Sequence, residues 1–256
     1  MTWLMRAVFV VVCALAFLFP PRVVRGQGTL VELDHVFVVV SPGGKAEIAT
    51  LRSAGLTLDT ELSKHPGQGT ASISALFENA YLELIWVDST VRVDRELASI
   101  NAWFQRAAAW RITGASPFGL GLRRLPGATA DLPVPVTRQS APWLKPGTAY
   151  ELLHQKADSL AADFFVLPND RTVPSWIGWV RERTPAQLKH SSGDRALTRV
   201  RVHGPTPHQP TAFARLRPSP VEFVSSSDVF LELYMNGGKR GQRIDLRPTL
   251  PIVLVR

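Results

Sequence analysis

Hydrophobic and polar positions follow their clearest pattern in the first third of the chain. Residues 33–40 form a β-branched apolar run, which predicts a buried strand. The pair Ser41-Pro42 suits a helix start, and Gly55 suits the left-handed position that follows a helix end. A βαβββ unit is completed by predicted strands near 56–61 and at 71–77 and 81–87.

The middle of the chain carries a weaker pattern. Residues 94–110 predict a helix whose apolar face holds Leu97, Ile100, Phe104 and Ala108. Five prolines between 126 and 146 predict a connector or a sheet edge, because proline cannot donate a hydrogen bond to a neighbouring strand. Further short strands are predicted at 149–154, 163–167 and 176–180.

The end of the chain repeats two motifs from its beginning in the same order. The motif L-D-H-V around His35 returns as L-T-R-V around Arg199, and Y-L-E-L around Glu83 returns as F-L-E-L around Glu232. Two motifs that are repeated in the same order predict a duplicated βαβββ module whose second copy is shortened. The predicted fold class is α+β, with a first module at 27–92, a connector holding the helix and the proline-rich segment at 93–195, and a second module at 196–256.

The first 26 residues are typical of a secretory signal peptide. Arg6 precedes an apolar run of 13 residues, followed by two prolines and a small residue, Gly26. The run is shorter than the roughly 20 residues of a membrane-spanning helix, so no stable membrane insertion is expected after cleavage. An uncleaved N-terminal anchor is the alternative. Since the only cysteine, Cys13, is removed as well, we expect an exported protein of a bacterial periplasm or the extracellular medium.

Composition excludes several classes of protein. Hydrophobic residues make up 45% and charged residues 20%, which excludes wholesale disorder. Cleavage would leave 26 basic and 21 acidic residues, a net charge of +5 that is spread along the chain and predicts no nucleic-acid partner. The sequence has no P-loop, G-x-G-x-x-G, G-x-S-x-G or H-E-x-x-H motif, and the mature chain has no thiol nucleophile.

Two glutamates are the strongest candidates for chemistry. Strand alternation places Glu83 and Glu232 each on a face with aromatic or aliphatic neighbours. Because a bare buried carboxylate is very costly, each must meet a cation, a hydrogen-bond donor or a proton. His35, on the first strand of its unit, is the candidate neighbour of Glu83.

Other candidates carry two interpretations each. The loop H-P-G-Q-G-T, with His65 and Gln68, either presents an imidazole and backbone N–H groups to a ligand or forms a tight turn with an exposed histidine. Trp176 either lines an apolar pocket or belongs to the core. Three further histidines in surroundings rich in Gly, Pro and Ser are predicted to lie at the surface: His190, His203 and His208.

The motifs around His35, His65 and Glu83 resemble the glyoxalase-like branch of the vicinal oxygen chelate superfamily. The resemblance is good over about residues 32–88 and thinner over 163–256. It implies two βαβββ modules that curve a mixed sheet around one shared cavity. It also implies one divalent metal (Zn, Mn, Ni or Fe) held by the first and last strands of each module. The residues at these positions are His35, Glu83, Arg199 and Glu232.

Arg199 departs from the pattern of that family, because a guanidinium is always protonated and cannot coordinate a metal. Three hypotheses stay open. A metal is held by His35, Glu83 and Glu232; or the arginine has replaced the metal in an internal salt-bridge network; or Arg199 grips an anionic ligand in a metal-free pocket. A histidine is missing where an extradiol iron dioxygenase would need one, which argues against that class.

Two functions follow from these hypotheses. The first is a metal-dependent lyase, isomerase or hydrolase in which Glu83 or Glu232 moves a proton next to a carbonyl. The second is a non-catalytic protein that sequesters a small anionic molecule. A small-molecule partner is expected in both, with Arg199, His65, Gln68 and Trp176 as its contacts. Modules of this kind assemble within one chain or between two, so a homodimer stays open.

Overall fold

The computed structural model describes residues 30–125, 128, 130–140, 146–153, 160–167, 185–208, 216 and 221–256. The predicted signal peptide, the predicted strand at 176–180 and Trp176 lie outside these residues. No helix within them is long and apolar enough to span a membrane.

The predicted βαβββ unit forms at the start of the described chain. It consists of β1 (Val31–Val39), α1 (Lys45–Ser53), β2 (Ser63–His65), β3 (Thr70–Leu76) and β4 (Tyr81–Val87). β4 pairs in parallel with β1 and antiparallel with β3, and β2 pairs with the other edge of β3. The strand predicted near 56–61 is absent: Leu56 and Leu58 are buried in the core, but pairing with β3 begins only at Ser63.

The start of α1 differs from the prediction. Its N-cap is Gly44, in the left-handed conformation, and not Ser41. The Ser41 hydroxyl instead donates a hydrogen bond of 2.8 Å to the carboxylate of Glu47 in the first turn. Ser41 therefore lies before the helix and contacts its first turn through the side chain of Glu47.

A second set of strands completes the large sheet. These are β5 (Phe118–Arg124), β6 (Val136–Gln139), β7 (Tyr150–Leu153) and β8 (Asp163–Leu167). β5 and β8 are parallel, whereas β8–β7 and β7–β6 are antiparallel, which repeats the pairing of β1 to β4. β1 and β5 pair antiparallel and join the halves into one eight-stranded sheet, ordered β2-β3-β4-β1-β5-β8-β7-β6. The predicted α+β fold with a curved mixed sheet is confirmed.

The position of the second half differs from the prediction. The large sheet takes its second half from residues 118–167, whereas 197–255 form a separate five-stranded sheet. That sheet contains β9 (Leu197–Gly204), β10 (Val221–Ser225), β11 (Phe230–Met235), β12 (Arg243–Asp245) and β13 (Ile252–Val255), in the order β10-β9-β11-β13-β12. Its two strands with echoing motifs, β9 and β11, pair antiparallel, whereas β1 and β4 pair in parallel. What the repeated motifs share is a set of apolar residues that face the core between the sheets, and this does not specify how the strands pair.

The connector behaves partly as predicted. β6 lies at the edge of the large sheet, in agreement with the prolines around it. The predicted helix at 94–110 is a short 3₁₀ turn followed by α2 (Ala98–Ala108) and α3 (Trp110–Thr113). The buried side of α2 carries Asn101, Phe104 and Ala107, while Ala108 is exposed.

Two layers of packing enclose the large sheet. The main core lies between the two sheets and includes Leu82 and Leu84 of β4 and Leu231 and Leu233 of β11. A smaller core lies on the opposite side of the large sheet, where α2 packs its apolar residues on Phe37, Val39 and Ile85. We call this second side of the large sheet, with His35, Phe37, Glu83 and Ile85, the α2 face.

Candidate functional site

A β-bulge in β1 brings two consecutive polar residues together. Val36 and Val38 point into the core between the sheets, so alternation places His35 and Phe37 on the α2 face. The pairing of β1 with β5 shifts register between Leu33 and His35, which makes Asp34 the extra residue. The buried carboxylate of Asp34 lies 2.9 Å from Nδ1 of His35.

Two glycines in β5 leave room for the rings of β1. Gly121 pairs with His35 and Gly119 with Phe37. A Cβ atom at either glycine would lie far closer than 3.0 Å to the ring opposite, so only glycine fits there. Tyr81 stacks on His35, with ring centroids 4.4 Å apart. The imidazole of His35 therefore has a fixed position.

Glu83 lies between two histidines on the α2 face. Its Oε2 atom is 3.9 Å from Nε2 of His35, and its Oε1 atom is 3.9 Å from Nε2 of His65. His65 ends β2 and places Nδ1 3.0 Å from the hydroxyl of Thr70. Both gaps to Glu83 are too long for a direct hydrogen bond but short enough for one ligand oxygen to contact a histidine and the carboxylate. His65 is thus part of the site, which supports the ligand interpretation of its loop.

The charge state of His65 follows from its surroundings. Burial lowers the pKa of His65, and nearby Glu83 only partly opposes that effect while His35 adds to it. His65 is therefore a neutral imidazole at neutral pH. A neutral ring offers one donor and one acceptor.

Strand β3 adds hydroxyl groups beside Glu83. Thr70, Ser72 and Ser74 alternate with core residues and lie on the α2 face, and Ser74 pairs directly with Glu83. The Oγ atom of Ser72 is buried and has no hydrogen-bond partner among the described residues. These hydroxyls make this side of the site polar.

A second carboxyl group lies farther along the same face. Glu83 pairs with Phe37, Phe37 with Gly119, and Gly119 with Asp163 of β8, so all four lie in one row across the sheet. Burial raises the pKa of Asp163 to about 6. Sequence reasoning missed this residue, although the alternation of D-F-F-V-L indicates that Asp163 lies opposite the core face.

Arg123 supports the site from β5. Its Nε donates to Glu32 at 2.8 Å, and its Nη1 lies 3.5 Å from Oδ2 of Asp34. Sequence reasoning missed Asp34, Arg123 and the two glycines. The alternation of glycine and leucine in F-G-L-G-L-R-R was the available signal, but glycine-rich segments rarely predict a central strand.

The structure separates Glu232 from Glu83. Leu231 and Leu233 face the core between the sheets, so Glu232 points away from the large sheet. Leu82 and Leu84 face the same core from the other side, and Glu83 therefore points in the opposite direction. The cluster of four residues expected from the resemblance does not form.

Glu232 belongs to an ion-pair network on the outer face of the second sheet. It accepts hydrogen bonds from Arg243 at 2.5 Å and His203 at 3.1 Å. Burial favours the protonated acid, but these hydrogen bonds outweigh it and lower the pKa of Glu232. Arg199 is 47% exposed, lies 3.8 Å from Glu222 and is not part of the site on the α2 face.

The remaining candidates have structural contacts. The carbonyl of Gln68 accepts a hydrogen bond of 2.8 Å from Asn101, which attaches the loop to α2. His190 and His208 are buried, so the prediction of surface histidines is wrong for both. His190, for example, accepts from the N–H of Thr57 at 2.9 Å. Gly, Pro and Ser nearby indicate an irregular backbone and say nothing about burial.

A separate open cleft of about 560 Å³ lies beside α3 and the second sheet. Within it, Arg247 pairs with Asp245 at 2.6 Å and with Asp228 at 3.5 Å. The described lining of this cleft holds no histidine, in contrast to the α2 face. Its residues are Trp110, Arg111, Ser227, Asp228, Val229, Asp245, Arg247, Pro248 and Pro251.

A family model for a glyoxalase-like domain matches residues 33–216, which include His35, Glu83 and both halves of the large sheet. The chain belongs to the glyoxalase-like domain family. This confirms the resemblance to the vicinal oxygen chelate superfamily. The glyoxalase-like match ends before β10, so much of the second sheet lies beyond it.

Among solved structures, the following one shares the fold of this glyoxalase-like chain. It is described as a hypothetical protein from Staphylococcus aureus and superposes with a TM-score of 0.52 at 10% sequence identity. The match covers 88% of this chain and 98% of that chain. At such low identity the likeness supports the fold alone. No curated protein matches the chain.

Members of this superfamily often bind a divalent metal, so the fit of the donors matters. Within the described ranges, no group of three or more His, Cys, Asp or Glu side chains is placed to hold a metal ion. The expected set of His35, Glu83 and Glu232 is divided between opposite faces of the molecule. These residues do not fit the expected metal in this glyoxalase-like chain.

Proposed function

We propose that this glyoxalase-like protein binds a small oxygen-containing organic molecule on the α2 face, and that Glu83 removes a proton from the carbon next to its carbonyl group. The observation that carries the proposal is the buried carboxylate of Glu83, with the Nε2 atoms of His35 and His65 each 3.9 Å away. A positioned carboxylate of this kind can act as a general base.

His65 suits the carbonyl oxygen of the ligand. When Glu83 takes the proton, negative charge develops on the carbonyl oxygen, and a donor beside it stabilises that charge. His65 is neutral and close to Glu83, so one of its ring nitrogens carries a hydrogen and can act as this donor. The buried hydroxyl of Ser72 on the same face supports a polar ligand.

The apolar surroundings fit a small molecule as well. The ring centroid of Phe165 lies 5.5 Å from that of His35, and Tyr81 stacks on His35, so aromatic side chains flank the polar groups. Small-molecule sites commonly combine apolar walls with a few placed polar groups. Burial also strengthens the electrostatic effect of those groups.

The test uses solvent deuterium exchange. Purified protein without a His-tag is incubated in D₂O with a panel of 2-oxo acids and hydroxyketones, and NMR follows loss of the C–H signal next to the carbonyl. Each reaction is run with EDTA and with Zn, Mn, Ni or Fe, so that any metal dependence is measured. We expect Glu83→Gln to lower the exchange rate by about 10²–10⁴, the usual contribution of a general base.

Glu232→Gln is the matched control, because Glu232 has the same L-E-L context but lies in the second sheet. It should leave exchange unchanged. Equal rates for wild type and Glu83→Gln, or an equal loss in Glu232→Gln, would contradict the proposal. Binding without any exchange would refute the catalytic half and leave a binding protein.

A further inference from the structure

We propose that Asp34 is a positioning residue which, together with Arg123, holds His35 in the tautomer with its hydrogen on Nδ1, so that Nε2 faces Glu83 as an acceptor. The inference deepens the proposed function and rests on it for its purpose, though not for its geometry. It concerns residues that sequence reasoning did not select.

The bulge in β1 makes the contact. In a regular strand, neighbours such as Asp34 and His35 would point to opposite faces of the sheet. The bulge allows the fully buried Asp34 side chain to reach the ring, with Oδ1 2.9 Å from Nδ1. Since an ionised carboxylate only accepts hydrogen bonds, Nδ1 must be the donor.

Arg123 stabilises the ionised form of Asp34. Its guanidinium is permanently charged and places Nη1 3.5 Å from Oδ2, the carboxylate oxygen that does not face the ring. Glu32 binds the same guanidinium at 2.8 Å and keeps it in place. The series of contacts that leads to the site is thus Glu32, Arg123, Asp34 and His35.

The ring cannot rotate to offer the other nitrogen. Tyr81 stacks on one face at an interplanar angle of 18°, and the backbone of Gly121 lies against the other. Rotation about the Cβ–Cγ bond would also break the hydrogen bond to Asp34. Nε2 therefore stays 3.9 Å from Oε2 of Glu83, where a bound ligand can donate to it.

The variant Asp34→Asn should reverse the tautomer with almost no change in shape. Arg123 can only donate, so it attracts the carbonyl oxygen of the new amide. The NH₂ group then faces Nδ1 of His35, which must accept, and the ring hydrogen moves to Nε2. An aspartate that merely stabilised the fold would change the free energy of unfolding but not the tautomer.

The experiment is ¹⁵N NMR of the ligand-free, full-length protein with labelled histidines, at a pH of about 8.5 where an ordinary imidazole is neutral. The chain has six histidines, and His35→Gln identifies the signals of His35. We expect Nε2 of wild-type His35 to resonate as an unprotonated nitrogen. Asp34→Asn should exchange the two ring-nitrogen positions.

Glu32→Gln is the control, because it alters the other partner of Arg123 and leaves the carboxylate of Asp34 intact. It should keep the wild-type signals. A wild-type ring protonated on Nε2, or unchanged signals in Asp34→Asn, would overturn the proposal. If Asp34→Asn does not fold, the wild-type spectrum still decides. No substrate is present, so failure of the exchange assay and failure of this assay are independent results.

Discussion

The close packing of His35 on Gly121 leads to a prediction about stability. In Gly121→Ala, the added Cβ would lie well under 3.0 Å from three atoms of the imidazole, Cε1, Nδ1 and Nε2. Gly121 has an ordinary strand conformation, so alanine would strain the ring contact and not the backbone. The ring must therefore leave its place between β5 and Tyr81.

The magnitude follows from the contacts that the ring loses. Overpacking a buried site costs about 1–3 kcal/mol. Displacement also breaks the hydrogen bond to the Asp34 carboxylate, a type worth about 1.5–3 kcal/mol. Because alanine restricts the unfolded chain more than glycine does, part of this loss is recovered. We expect Gly121→Ala to lower the free energy of unfolding by about 2–4 kcal/mol.

Equilibrium urea unfolding followed by circular dichroism measures this change. A double-mutant cycle supplies the control, because His35→Ala removes the ring that the new methyl group meets. In that background, Gly121→Ala should cost less than about 1 kcal/mol. An equal cost in both backgrounds would refute the argument that the ring requires glycine at position 121.

Three further predictions concern a buried acid, a contact between the sheets and the N-terminus. Burial raises the pKa of Asp163 from its ordinary 3.8 to about 6, so the folded state alone holds this proton between those values. Stability should fall by roughly 2–3 kcal/mol as pH rises from 4 to 6, and urea titrations of Asp163→Asn should lack this decrease. Asn79 exchanges two hydrogen bonds with the backbone of Leu197, at 2.8 and 2.9 Å. Asn79→Ala should lower the free energy of unfolding by about 2–4 kcal/mol by leaving those groups unsatisfied, and an unchanged urea midpoint would contradict this. Mass spectrometry of protein expressed in an exporting bacterium should show loss of about 26 residues, whereas an intact chain would favour the uncleaved anchor.

Local pattern was sufficient to predict three strands of the first unit, β1, β3 and β4. Alternating residues in 71–77 and 81–87, and the β-branched run at 33–40, define strands from contacts within a few positions. The observed strands agree within one or two residues at most ends. His35 and Glu83 could be assigned to one site because their strands belong to that same unit and pair directly.

The second half of the large sheet could not be predicted in the same way. The pattern L-x-E-L indicates a half-buried strand but not its partner, since pairing depends on distant segments. Strand β5 was missed because Gly119 and Gly121 weaken its strand signal. The structure shows that both glycines make room for rings of β1, a requirement that exists only after the strands pair.

Glu83 and Glu232 separate what the local sequence determines, the direction of a side chain, from what only the tertiary structure decides, its partners. For both, the neighbouring leucines determine that the carboxylate points away from the core between the sheets. What each carboxylate then meets depends on the packing of remote segments. Glu83 meets histidines of β1 and β2 under the partial cover of α2, whereas Glu232 meets Arg243 and His203 on an outer surface. Alternation is a property of the backbone and can be predicted from local sequence, but the environment of a side chain is decided only when the sheets assemble.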